Sequence, residues 1–275
     1  MKSQDIINKH FLPIVMAAFM LITSVSDAQA QKQQAQYDVY AGGLHVLDVN
    51  LTNDLSDAET YNIEMQSRTY GVLDKLASWQ GRFLTKGWKG ETFKPEQHQS
   101  VATFRGEQET KTYHYNKDGT FKDYSLVEDG KKKKSDADSA LTQNTTDILT
   151  ATMNLMRGLS AGQACNSRDE IFDGKRRYRL LFKEQARENL QKSRYNIYSG
   201  PAVSCTVEVE PLAGKWHEKP RGWASIQEQG RAKGSLPTVW FATIEDGKPA
   251  MPVKVRVKTD YGTLFMHLTG YKGLS

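Results

Sequence analysis

The sequence predicts a mainly β fold, an antiparallel sheet whose strands follow one another along the chain. Apolar and polar residues alternate with a period of two, most clearly in residues 61–66, 203–209 and 253–258, which is typical of strands with one buried face. Four Asp-Gly pairs stand beside such segments, and Asp-Gly accepts the positive φ of tight hairpin turns. They are Asp118-Gly119, Asp129-Gly130, Asp173-Gly174 and Asp246-Gly247. Long alternation of strands and helices is absent, which disfavours a doubly wound nucleotide-binding fold.

Two segments are predicted to be helical. Residues 145–147 offer side chains that cap a helix N-terminus, and an apolar pattern with helical spacing follows over residues 148–157. Gly158 is placed to end that helix. A second, shorter helix is predicted over residues 72–79.

The polar stretch 214–235 is the best candidate for a long loop. It is rich in Gly, Lys and Gln, yet it contains Trp216 and Trp223. A loop with two tryptophans either packs back on the domain or covers an opening in it, and the sequence leaves both interpretations open.

The N-terminus has the pattern of a secretory signal peptide. Lys2 and Lys9 precede an apolar run over residues 11–22, and a small-x-small sequence ends at Ala30, which predicts cleavage after Ala30. A run of about twelve apolar residues is too short for a membrane anchor, which needs roughly twenty. We therefore expect a periplasmic protein without a transmembrane anchor, with residues 31–275 as a single β-rich domain.

The only two cysteines, Cys165 and Cys205, lie in the part that would be exported. In an oxidising compartment such a pair is a disulfide candidate. Cys205 falls on the apolar side of its predicted strand, where a bridge to Cys165 would be shielded from solvent. Free thiols or part of a metal site are the alternatives.

The chain shows no recognised catalytic motif. It lacks the glycine-rich nucleotide-binding patterns, GxSxG, HExxH and CxxC, and no two histidines share the spacing of one helical face. No catalytic residue, metal site or cofactor is predicted. A hydrolase assembled from distant residues remains an alternative, and its test is whether a Ser or Cys lies near a histidine in an open pocket.

The net charge of +5 is modest, and nucleic acid is not an expected partner of an exported chain. The four lysines at residues 131–134 indicate either a solvated hairpin tip or a site that attracts anionic envelope polymers. Arg177 and Arg179 share one face of a predicted strand. They either face water or lie inside a barrel, where they would pair with acidic partners or buried carboxylates.

A resemblance adds to these patterns. The stretch IFDGKRRY at residues 171–178 lies between the two cysteines. Further stretches share the pattern: Tyr70-Gly71, Pro95, the helix after Asp147, the LPTVW sequence at residues 236–240, Pro252-Val253, Thr259 and Gly262. Together they resemble a family of exported bacterial proteins catalogued as domain-of-unknown-function family 3108.

The resemblance implies an open, curled antiparallel sheet, a β-spiral or half-barrel, that wraps one or two short helices. This architecture is similar to the half-barrels of periplasmic lipoprotein carriers, and a related group of exported β-spirals is associated with envelope integrity. The matching residues are turn and strand residues, so no active site is carried over. Aromatic residues such as Trp240 would line the cavity of a carrier or fill a closed core.

These observations lead to a functional hypothesis. We expect a monomeric, non-enzymatic periplasmic protein that binds a lipid, glycan or protein component of the envelope and supports envelope integrity. The candidate contact residues are Trp216, Trp223, Trp240, Arg177 and Arg179. A purely structural module that binds a protein partner is the remaining alternative.

Overall fold

The computed structural model describes residues 32–216, 223–260 and 262–274. The predicted signal peptide and its cleavage after Ala30 lie outside the described residues. No helix within these ranges is long and apolar enough to span a membrane.

The chain folds into fourteen strands and four helices over the described ranges. In chain order they are β1 (Lys32–Ala41), β2 (Leu44–Asp54), β3 (Thr60–Thr69), α1 (Gly71–Leu76), β4 (Trp79–Trp88), β5 (Lys94–Phe104), β6 (Glu107–Tyr115), β7 (Phe121–Glu128), β8 (Lys131–Lys133), α2 (Ser139–Thr142), α3 (Ile148–Ser160), β9 (Asn166–Phe172), β10 (Arg176–Leu190), β11 (Gly200–Gly214), α4 (Trp223–Ala232), β12 (Thr238–Ala242), β13 (Met251–Thr259) and β14 (Gly262–Leu274).

All fourteen strands form one antiparallel sheet, in the order β8 to β1 and then β14 to β9. Neighbours in the sheet are neighbours in sequence, except that β1 and β14 also pair with each other. The two ends of the sheet, β8 and β9, therefore flank one segment in the middle of the chain, and that segment carries α2 and α3. The predicted Asp-Gly turns are confirmed, since each of the four pairs lies between two consecutive strands.

The inside of the curled sheet is filled by α3. Met153 and Met156 are fully buried, and Leu149, Leu155 and Leu159 are nearly so. Each such side chain contributes about 1.5–3 kcal/mol when it leaves water. The prediction of a curled antiparallel sheet around a short helix is confirmed, and the aromatic residues inside it belong to a packed core that contains Tyr61 and Phe241.

The two ends of the sheet overlap. Successive residues of a strand point to opposite faces, and in β9 Ile171 packs in the main core whereas Phe172 packs with tyrosines of β6 and β7. The turn after β9 also contacts β7, because a Cβ on Gly174 would lie 2.8 Å from the Tyr124 hydroxyl. The C-terminal end of β9 thus has β6 and β7 against its outer face, which gives the sheet the form of a spiral.

The predicted disulfide joins Cys165 and Cys205, with a Cα–Cα distance of 6.2 Å. Both residues are fully buried, and Cys205 lies on the inner side of β11, as expected. Cys165 directly precedes β9, so the bond reaches across β10 and ties this end of the sheet together.

The helix boundaries require corrections. The main helix runs past Gly158 to Ser160, because a glycine within a helix is tolerated; the positive φ that ends it is at Gly162. The helix predicted over residues 72–79 ends at Leu76, and Trp79 begins β4 instead.

The stretch 214–235 is not one long loop, since it contains α4. Its polar composition hid the helix, which is held by hydrogen bonds from its buried Gln227. The Gln227 amide accepts from the Val209 N–H at 2.6 Å and donates to the Val209 carbonyl at 3.1 Å. The polar side chain of Gln227 therefore attaches α4 to β11, whereas a sequence pattern predicts such packing only from apolar residues.

Candidate functional site

A cleft of about 900 Å³ lies beside α3. It lies where the chain crosses from one end of the sheet to the other. Its lining comes from residues 91–95, 118–120, 144–146 and 166–170, from the α3 side facing them, and from Gly247 and Pro249. Most of these residues are polar, but the lining also includes the core residues Leu55, Phe93, Ala151 and Leu155.

The N-terminus of α3 is fixed by a buried polar network. The Asp147 carboxylate caps the helix by accepting from the Leu149 and Thr150 N–H groups at 3.0 and 3.1 Å. Its Oδ1 also accepts from the Thr85 hydroxyl at 2.7 Å and lies 3.3 Å from His98 Nδ1. Because the Thr85 hydroxyl gives its hydrogen to Asp147, the contact at 2.7 Å between His98 Nδ1 and Thr85 requires the ring nitrogen to donate.

This network sets the charge of Asp147. Burial by itself raises the pKa of the carboxyl, but the charge of His98 and hydrogen bonds from His98, Thr150 and Thr85 bring the pKa below its usual value. Asp147 is 2% exposed, so an ionised carboxylate persists there only because these partners surround it. The helix that forms one wall of the cleft is therefore anchored at its start by a buried charge.

The opposite wall is tied to α3 by Asn154. Its amide accepts from the Phe93 N–H at 2.8 Å and donates to the Phe93 carbonyl at 3.0 Å. The Arg157 guanidinium lies 3.9 Å from the centre of the Phe93 ring. Its hydrogen bond within the described chain is one long contact with the Glu91 carbonyl, so most of its donors are free to meet a ligand.

Three further groups offer polar contacts in the cleft. The Thr146 hydroxyl is buried and has no hydrogen-bond partner among the described residues. Asp169 pairs with the core residue Leu180 across the strands and so faces inward, and burial raises the pKa of its carboxyl. Arg168 is exposed and takes part in no ion pair within the described ranges. A half-buried carboxyl with a raised pKa in a cleft marks a candidate functional site.

The predicted contact residues Arg177 and Arg179 lie outside this cleft. They are on the strand face opposite Leu180, and both pair with Glu170, while Arg179 also pairs with Glu210 at 2.9 Å. A hydrogen bond from Arg177 is the main cause that holds the pKa of Glu170 below its usual value. The arginines lie on the outer face, as one interpretation expected, but their side chains are only 19% exposed and pair with carboxylates, so they do not simply face water.

Of the three predicted tryptophans, Trp216 and Trp240 are also engaged within the chain. Trp240 is 5% exposed, donates from Nε1 to Glu188 at 2.7 Å and lies beneath the Lys254 side chain, so it does not line an opening. Trp216 donates to the Ala213 carbonyl at 3.0 Å, which supports the interpretation that it packs back on the domain. Trp223 begins α4, and its side chain lies outside the described residues.

The hydrolase alternative needs a histidine that contacts Ser or Cys in an open pocket. His267 Nδ1 is buried and has no hydrogen-bond partner among the described residues. In the described chain, the side-chain hydrogen bonds of His45, His98 and His114 go to Leu47, Thr85 and Asp123, and none goes to Ser or Cys. His98 and Thr85 are both buried, so the pair does not open to a pocket.

A different cluster escaped sequence reasoning. Asp38, His45 and Asp48 bring one ligand atom each to within 4.8 Å of one another on the β1–β2 hairpin. Their spacing in the sequence matches no metal motif, because it is the register of the hairpin that brings them together. The expectation of no metal site depended on spacing along the sequence, which does not show residues that strand pairing brings together.

The comparisons with known proteins point to one family. The family model described as "Protein of unknown function (DUF3108)" matches residues 36–269. No curated protein matches the chain. Among solved structures, the chain is similar to a beta-barrel-like protein of domain of unknown function DUF1849 from Brucella abortus, with 10% identity and a TM-score of 0.49 over 90% of this chain and 99% of that one.

Proposed function

This chain belongs to the DUF3108 family of proteins of unknown function, and we propose that it is a non-enzymatic periplasmic protein that binds a glycan of the cell envelope in the cleft beside α3. The observation that carries the proposal is a large polar cleft in a molecule whose apolar interior is already filled. The signal-peptide pattern and the buried disulfide support the periplasm as its compartment.

The packing of α3 argues against an acyl chain as the ligand. A lipid carrier needs an apolar cavity, and the space inside this sheet is occupied by Met153, Met156 and the leucines of the same helix. The cleft borders that core, and most of the residues around it present hydroxyl, amide, carboxyl or guanidinium groups. Buried polar groups must find hydrogen-bond partners, and sugar hydroxyls are suited to supply them.

In this proposal, four polar residues of the cleft contact the glycan. Thr146 offers a buried hydroxyl without a partner, and Asp169 offers a carboxyl that accepts from sugar hydroxyls and donates when it is protonated. Arg157 and Arg168 donate to ring substituents or to a carboxylate on the glycan. No catalytic step is assigned to any of them.

The test is a titration of the full chain with a soluble β-linked N-acetylglucosamine tetramer, followed by amide chemical-shift changes and calorimetry. We expect the shifts to cluster at residues 144–146 and 166–170. Asp169→Asn and Arg168→Gln should each weaken binding by about tenfold, which equals about 1.4 kcal/mol. Arg105→Gln is the matched control, because Arg105 is exposed on a hairpin away from the cleft.

A fluorescent fatty acid serves as the competing probe. Preferential binding of the fatty acid would overturn the proposal in favour of a lipid ligand. Native mass spectrometry of protein purified from the periplasm is the second measurement. If it finds no co-purifying glycan and the tetramer shifts no cleft residue, the glycan function is refuted.

A further inference from the structure

Three potential ligands converge on the outer face of the β1–β2 hairpin, in a place that the proposed glycan function does not use. Asp38 and Asp48 are direct partners across the two strands, and His45 lies at the bulge next to them. His45 Nε2 lies 3.0 Å from Asp48 Oδ1, 3.9 Å from Asp38 Oδ1 and 3.1 Å from the Leu47 carbonyl oxygen. Three oxygen atoms thus surround one nitrogen.

These distances suit a bound cation. Zinc binds histidine nitrogen and carboxylate oxygen at about 2.0–2.2 Å, so two ligand atoms of a tetrahedral site lie about 3.4 Å apart. The separations of 3.0 and 3.9 Å between His45 Nε2 and the two carboxylates lie on either side of that value. Small adjustments of partly exposed side chains are enough to complete the geometry.

Without an ion, Arg68 offsets the charge of Asp48, but no Lys or Arg of the described residues forms an ion pair with Asp38. Asp38 and Asp48 bring two carboxylates together, and Arg68 hydrogen-bonds only the Oδ2 atom of Asp48, at 3.0 Å. The Oδ1 atom of Asp48 therefore stays directed at His45. Like charges at this separation favour a divalent cation between them.

The groups around the cluster hold the ligands in place. Asp38 accepts from the Tyr40 hydroxyl and from the Thr269 hydroxyl of β14, both at 3.3 Å. The His45 ring is stacked between Tyr70 and Tyr40, with ring centres 4.0 and 5.3 Å away. Protein metal sites use hydrogen bonds and packing of this kind to orient their ligands.

We propose that Asp38, His45 and Asp48 bind one divalent transition-metal ion of the Zn²⁺ class. Imidazole and carboxylate are ligands that suit zinc, and three protein ligands leave a fourth position to water or to the Leu47 carbonyl. The ion joins two neighbouring strands, β1 and β2, on the outer face of the sheet. It lies next to the pairing of β1 with β14, which links the first and last strands.

The experiment uses the full chain without an affinity tag, stripped of metal with a chelator and then titrated with Zn²⁺ by calorimetry. We expect one ion per chain, and we expect Co²⁺ to give the visible absorption of a four-coordinate site. His45→Gln, Asp38→Asn and Asp48→Asn should each weaken Zn²⁺ binding by more than about tenfold. Circular dichroism checks that each variant is folded.

His114→Gln is the matched control. His114 also pairs with an aspartate, Asp123, at 2.6 Å. Among the described residues, however, no second carboxylate joins this pair to make a three-ligand group. Its loss should leave Zn²⁺ binding unchanged. Equal binding by all four variants, or loss of binding in His114→Gln alone, would overturn the proposal, as would a wild-type chain that binds no ion.

Tyr40→Phe tests the orienting role of the surrounding groups. This change removes the hydroxyl that hydrogen-bonds Asp38 and keeps the ring that stacks on His45. We expect Zn²⁺ binding to weaken by about tenfold while the Co²⁺ spectrum keeps its four-coordinate form. Unchanged affinity in Tyr40→Phe would remove Tyr40 from the site.

Discussion

Replacing Asp147 by asparagine tests whether a buried ion pair holds α3 in the spiral. Asparagine caps a helix as well as aspartate does, so the Leu149 and Thr150 N–H groups keep an acceptor. The change removes the charge that faces His98 at 3.3 Å, and it also replaces the Oδ2 atom that accepts from the Thr150 hydroxyl. The side chains of Asp147 and His98 are 2% and 8% exposed, so solvent screens the pair very little.

The size of the effect follows from this burial. Removing one partner of a buried ion pair costs about 3–5 kcal/mol. We expect Asp147→Asn to lower the free energy of unfolding by about 3 kcal/mol, at the lower end of that range because the helix cap is kept. Asp147→Ala also removes the cap and should cost about 1 kcal/mol more.

Urea unfolding at pH 7, followed by circular dichroism, measures these differences. Asp138→Asn is the matched control, because Asp138 caps α2 from an exposed position and should change the free energy of unfolding by less than about 0.5 kcal/mol. In a double-mutant cycle, Asp147→Asn and His98→Gln should cost less together than the sum of their separate effects. A loss below about 1 kcal/mol for Asp147→Asn, or full additivity with His98→Gln, would refute the reasoning.

The pH dependence gives an independent check of the same pair. The pKa of Asp147 is lowered in the folded chain, so its stabilisation is complete above the ordinary value of 3.8 and disappears as the pH falls through the folded value. The difference in the free energy of unfolding between wild type and Asp147→Asn should therefore shrink as the pH falls below 3.8. A difference that stays constant throughout that range contradicts an ionised Asp147.

Two further predictions concern the ends of the sheet and the wall of the cleft. Cys205→Ser removes the disulfide, which closes a loop with a sequence separation of 40, and should lower the free energy of unfolding in urea by about 4 kcal/mol. Reductant should have the same effect on the wild type and no effect on the variant. Asn154→Ala leaves the N–H and carbonyl of Phe93 without their partners and should lower the free energy of unfolding by about 2 kcal/mol. Hydrogen exchange at the Phe93 amide should become faster. If that amide stays protected, another group holds this wall of the cleft.

The sequence predicts the sheet well because the signals for it are local. Alternation over residues 253–258 places Val253 in the core, and Asp129-Gly130 forms the turn between β7 and β8 with positive φ at both residues. Each of these depends on two or three neighbouring residues. Local residues also predict the helix α3, because the capping residue Asp147 is followed by apolar residues at helical spacing.

What the sequence does not reveal depends on contacts between distant residues. The helix α4 is held by the hydrogen bonds of Gln227 with Val209. An apolar pattern in the sequence cannot predict an attachment that a polar side chain makes. The cluster of Asp38, His45 and Asp48 exists only because the hairpin bulges between Val39 and Tyr40, and the register of pairing sets that bulge. Tryptophans attract attention in a sequence, yet Trp240 is covered by its own neighbours.

The topology explains why the cleft lies where it does. Pairing of β1 with β14 closes the sheet where the described chain begins and ends, so the remaining discontinuity falls between β8 and β9, in the middle of the chain. The segment that crosses this discontinuity carries the helix that fills the interior, and Thr146 attaches it to the edge of β9 through Ile171. Some polar residues of this segment face the cleft, such as Thr146, whose hydroxyl has no hydrogen-bond partner among the described residues. A ligand site can therefore form from them without removing a strand from the sheet or a side chain from the packed interior.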